Sequence, residues 1–119
     1  GEIILGLKIE DRECLANCDD IAAIPGISFG EWGPGDMGMS FGNGDAHDPP
    51  YAPEMEAARQ RIKAAYDRND IKFLCGWNDP NLTIEEATKK LIDEGTMIVG
   101  GNEQAAKFGR EYSERTMPV

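Results

Sequence analysis

Apolar positions change their period several times along this chain, and each change marks an element. Four short aliphatic or aromatic runs, at residues 3–9, 27–32, 71–76 and 96–99, read as strands. Between them apolar residues recur at helical spacing. Cys14, Leu15, Cys18, Ile21 and Ala22 share one face of a helix that Asp11 can cap and Pro25-Gly26 stops. Met55, Ala58, Ile62, Ala65 and Tyr66 line a helix over residues 54–69, with Arg59, Arg61 and Lys63 expected on its solvated face. Thr83-Ile84-Glu85-Glu86 has the form of a capping box. It opens a helix whose apolar face is Ile84, Ala87, Leu91 and Ile92, and which Gly95 ends. Gly100-Gly101 leads into a last helix reaching about residue 114. Residues 33–53, rich in Gly and Pro, read as a connection too long to be a simple joint.

Strand-then-helix alternation implies an α/β fold with a parallel sheet, and short continuous apolar strands fit a sheet buried on both faces. Four consecutive βα units are half of a (β/α)8 TIM barrel, which takes about 250 residues when whole. The pattern leaves two architectures open: a small open α/β domain or a half-barrel. Its 119 residues suffice for a single domain.

Charge narrows the range of partners. A formal net charge of −10 argues against nucleic acid and against an anionic membrane surface. No apolar run approaches a membrane span, and the opening residues carry no basic leader, so a soluble chain is expected. Cys14, Cys18 and Cys75 fit neither a zinc ribbon nor a disulfide framework. They read as small core hydrophobes in a reducing, cytoplasmic setting.

Function in parallel α/β folds collects at the C-terminal ends of strands. The ends here carry Glu10, Gly33-Pro34-Gly35-Asp36, Gly76-Trp77-Asn78-Asp79 and Gly100-Gly101-Asn102. Neighbouring parallel strands lie about 4.8 Å apart, so Glu10 and Asp36 can converge. Two carboxylates, completed by water and substrate oxygens, commonly hold Mg2+ or Mn2+. Either acid alone reads equally as a helix cap or a solvated side chain. His47 is the sole imidazole and reads as a residue of the exposed loop.

The stretches Leu7-Lys8-Ile9-Glu10-Asp11, Ile24-Pro25-Gly26-Ile27 and Trp32-Gly33-Pro34-Gly35-Asp36-Met37-Gly38-Met39-Ser40 resemble the C-terminal half of the HpcH/HpaI aldolase/citrate lyase family. The resemblance continues through Pro53-Glu54-Met55 and Gly95-Thr96-Met97-Ile98-Val99-Gly100. It implies strands five to eight of a (β/α)8 barrel and a class II, metal-dependent aldolase or lyase acting on pyruvate-type keto acids. Carried over residue by residue, Glu10 and Asp36 match the metal ligands, and the amides of Gly35 and Asp36 match the turn that binds the substrate carboxylate. Trp77 is expected to shape the pocket for the aldehyde half or to pack. The family's catalytic arginine and histidine base belong to the N-terminal half, so no catalytic residue is assigned here. Two other readings stay open: an inactive half-barrel that binds metal or oligomerises, and a CoA-ester lyase relative of the citrate lyase β type. A half-barrel implies a homo-oligomer or association with the missing N-terminal half.

Overall fold

The structure, a computed structural model, describes residues 2–115. The chain runs β1 (Leu5–Ile9), α1 (Arg12–Ala16), α2 (Cys18–Ala22), β2 (Ile27–Trp32), α3 (Pro34–Ser40), α4 (Pro53–Arg68), β3 (Lys72–Cys75), α5 (Ile84–Asp93), β4 (Ile98–Val99) and α6 (Glu103–Ser113). The four strands form one parallel sheet in the order β1-β2-β3-β4. A doubly wound sheet reverses its strand order at a switch point, whereas a barrel steps in one direction. The observed order is therefore the barrel's, and the fold is half of one.

The sheet is covered on one face only, not on both as the apolar strands suggested. Ile9, Trp32, Phe73 and Cys75 are buried beneath the helices. Alternate positions turn the other way: Lys8 and Lys72 are exposed, and Phe29, Glu31 and Leu74 are half-buried. Helix α4 holds the covered face. Its Tyr66 ring lies flat on β2, where a Cβ on Gly30 would come within 2.4 Å of the ring. The Tyr66 hydroxyl donates to the Glu31 carbonyl at 3.0 Å. A glycine is needed there for close approach, and the strand carries one.

Three expectations are corrected. The first helix is two, because Asn17 both caps α1 and donates its side-chain amide to the Glu13 carbonyl, competing with the helical ladder. The long connection opens with α3, which Pro34 starts at its first position. Arg59 and Lys63 are buried rather than solvated. Arg59 pairs with Glu56 and Glu94, and Lys63 with Asp67 at 2.7 Å. The Asp11 cap and the Thr83–Glu86 capping box form as expected. All three cysteines are free, with Cys18 and Cys75 in the core.

The uncovered face has a consequence for association. Ile3, Ile4, Leu5, Met97 and Ile98 are exposed along it and at the sheet's two ends. Light scattering is expected to give a mass above 13.0 kDa, with these surfaces paired. A monodisperse species at 13.0 kDa would contradict this.

Candidate metal and keto-acid site

The strand ends of β1 and β2 are tied together by the Gly33 amide, which donates to the Ile9 carbonyl at 3.0 Å. Glu10 follows immediately on one strand and the Gly33–Asp36 turn on the other. A Cβ placed on Gly33 would stand 2.5 Å from Glu10 Cβ and 2.7 Å from Glu10 Oε2. The Glu10 side chain therefore lies directly against the backbone that enters α3. Gly33 caps that helix without any side-chain hydrogen bond, and the first helical bond runs from the Met37 amide to the Gly33 carbonyl. The amides of Gly35 and Asp36 precede that bond and have no intrahelical acceptor. Asp36 sits in the same first turn, exposed.

Lys8, two residues before Glu10 on the same strand face, completes the cluster. Its Nζ is 3.1 Å from Glu10 Oε2, and it pairs in register with Glu31 on β2. The contact with Glu10 holds the lysine above its ordinary pKa against desolvation, and the charges of Glu31 and Asp36 add to it. Glu10 Oε2 is nonetheless buried without a hydrogen-bond partner among the described residues. The Lys8 ammonium already stands beside that oxygen, and the Glu10 side chain, 39% exposed, stays open to a further cation. No three His, Cys, Asp or Glu side chains converge on one point among the described residues. Two carboxylates suit a hard ion that keeps water and takes substrate oxygens, and do not suit a closed zinc site. The chemistry of the two acids is that of a hard ion such as Mg2+ or Mn2+.

Beside the turn lies a cleft of about 210 Å³ lined by Glu31, Trp32, Gly35, His47, Asp48 and Asn78 among others. His47 lies on the exposed loop, as expected, and also borders this cleft. Its Cβ lies 4.0 Å from a Cβ placed on Gly35, and its Nδ1 is 2.9 Å from Asp48 Oδ2. Nothing in the sequence signalled this approach, since the two residues lie in a loop and a turn of no fixed spacing.

Trp77 does not line that cleft; its neighbour Asn78 does. The Trp77 indole is gripped between the Arg59 guanidinium, 4.8 Å from the ring centre, and Lys90 Nζ at 4.5 Å. Tyr51 meets both Trp32 and Trp77 edge-on, at 5.0 and 5.3 Å between ring centres. The indole thus anchors the end of β3 to α4 and α5.

The one-directional order of the parallel strands defines the chain as half of a (β/α)8 barrel. No family model matches the sequence, and no curated protein matches it. In fold it is similar to an HpcH/HpaI aldolase/citrate lyase family protein from Burkholderia cenocepacia, with 19% identity and a TM-score of 0.69, covering 94% of this chain and 40% of that one. A citrate lyase from Burkholderia xenovorans gives 16% identity and a TM-score of 0.75 over 92% of this chain and 37% of its own. The citrate lyase beta subunit from M. tuberculosis, solved with oxaloacetate and magnesium, gives 16% identity and a TM-score of 0.72 over 87% and 49%. The chain spans about half the length of these structures or less, and the likeness is one of fold. No helix among the described residues is long and apolar enough to cross a membrane.

Proposed function

We propose that this chain is the metal- and keto-acid-binding half of a divalent-metal-dependent aldolase or lyase of the HpcH/HpaI kind, cleaving 4-hydroxy-2-oxo acids to pyruvate and an aldehyde. The observation that carries the reading is Glu10, at the end of β1, packed directly against the turn that begins α3 and bears Asp36. Glu10 and Asp36 would hold Mg2+ or Mn2+. When bound, the cation supplies Lewis-acid stabilisation of the charge that develops on the keto oxygen as the C–C bond breaks. The Gly35 and Asp36 amides would orient the substrate carboxylate, and Gly35 lets it approach the backbone. Trp77 contributes by fixing the β3 end, which keeps Asn78 on the cleft where the aldehyde half would lie. The magnesium and oxaloacetate held by the M. tuberculosis relative of this fold support the choice of ion and ligand class.

Oxalate, a planar stand-in for the pyruvate enolate, gives a direct test. Mn2+ binding followed by electron paramagnetic resonance is expected to tighten at least about tenfold with oxalate present, since the ligands share one coordination sphere. Mn2+ binding that ignores oxalate would leave a metal site but remove the keto-acid reading.

A further inference from the structure

The acid cluster already contains a cation. Lys8 Nζ stands 3.1 Å from Glu10 Oε2, an ion pair between two half-exposed side chains. The lysine stem is confined: its Cε lies 2.7 Å from a Cβ placed on Gly33, in the angle between β1 and the α3 turn. Lys8 is directed across the sheet by its register with Glu31, on the uncovered face that also bears Lys72. A lysine buried for packing alone would extend its stem over apolar surface and its head into water. This one, with its side chain 45% exposed, pairs its head with Glu10 instead.

We infer that Lys8 is a resident counter-ion of the Glu10–Asp36 site, occupying Glu10 until a divalent cation displaces it, and that it thereby sets the affinity of the site for metal. The inference rests on the proposed metal site. Glu10 cannot serve both cations with the same oxygen at full strength, so binding the metal includes the cost of breaking the Lys8 contact. After displacement the ammonium stays tethered close to the ion and repels it. Lys8 is on this account a positioning residue: it touches a metal ligand, not the substrate.

The test compares Mn2+ affinity, measured by electron paramagnetic resonance on the metal-free protein, in wild type, Lys8→Met, Lys8→Gln and Lys8→Arg. Both neutral variants are expected to bind Mn2+ on the order of tenfold more tightly. Lys8→Arg keeps the charge and is expected to stay near wild type. Two neutral substitutions guard against a packing effect peculiar to either, and circular dichroism checks that each folds. Equal or weaker Mn2+ binding in both neutral variants overturns the inference. If that occurs while Glu10→Gln still abolishes binding, the metal site stands and only the role of Lys8 falls. If no variant, wild type included, binds Mn2+, the metal site itself falls and the inference with it.

Discussion

Arg59→Ala is expected to destabilise the fold by about 3 kcal/mol, the largest stability effect of any single polar substitution here. The guanidinium is fully buried, at 0% exposure, and pairs with Glu56 Oε1 at 3.0 Å and with Glu94. Burial works against its charge, yet the hydrogen bonds and charges of Glu94 and Cys75 together outweigh it, and the group is held above its ordinary value. Removing it strips Glu94 of its principal partner and leaves Trp77 with Lys90 as its cation contact. Arg59→Met, which keeps volume, is expected to cost less, because the cavity is avoided. Urea unfolding measures both, and a loss below about 1 kcal/mol for the alanine variant would contradict the structure.

The effect depends on pH in a defined direction. Burial pushes the Glu94 carboxyl up, but its hydrogen bonds to Arg59 and Lys90 bring it below the ordinary 4.5 overall. A carboxylate lowered on folding stabilises above its unfolded pKa, and that contribution is lost as pH falls through the folded one. The stability gap between wild type and Arg59→Ala is therefore constant near neutrality. It narrows in the acid range below 4.5.

Gly33→Ala is expected to have the largest effect on the site for the smallest change in the chain. The backbone at Gly33, φ −102° and ψ 92°, suits any residue, so the cost is steric and not conformational. The added Cβ meets Glu10 Cβ at 2.5 Å, and both Glu10 Oε2 and Lys8 Cε at 2.7 Å. Glu10 must then leave its position. Mn2+ affinity is expected to fall at least about tenfold, the scale on which misplacing a supporting group acts. Stability is expected to drop by only about 1–3 kcal/mol. Unchanged Mn2+ binding would mean that Glu10 is not held against the turn.

The strands and most helices were legible because each rests on local signals, whereas the pattern left the strand order open and only the resemblance implied the barrel's. Period-2 and period-3.6 patterns, the Asp11 cap and the Thr83–Glu86 box all act within a few residues. Glu10 and Asp36 were legible as strand-end acids, and Lys8 could have joined them, since residues two apart on a strand share a face. Other features depended on partners distant in sequence. Arg59 read as solvated because its partner Glu94 lies 35 residues away, on another helix. The approach of His47 to Gly35 depends on how the loop after α3 folds back. Helix α3 was masked by Gly and Pro, which read as loop even where Pro34 sits at a helix start. Burial of the sheet on one face was signalled by Lys8, Glu31 and Lys72 alternating with buried neighbours, a period that reading the strands as continuous apolar runs passed over.

The central claim is that Glu10 and Asp36 together hold a divalent cation. Mn2+ titration by electron paramagnetic resonance, on wild type, Glu10→Gln and Asp36→Asn, tests it most directly. Each substitution removes one charge while keeping the side-chain shape, so the fold is left intact. The account predicts saturable binding in wild type and a loss of roughly hundredfold or more in either variant, at or beyond the effect of losing an outer-shell partner. Affinity unchanged in both variants would contradict it.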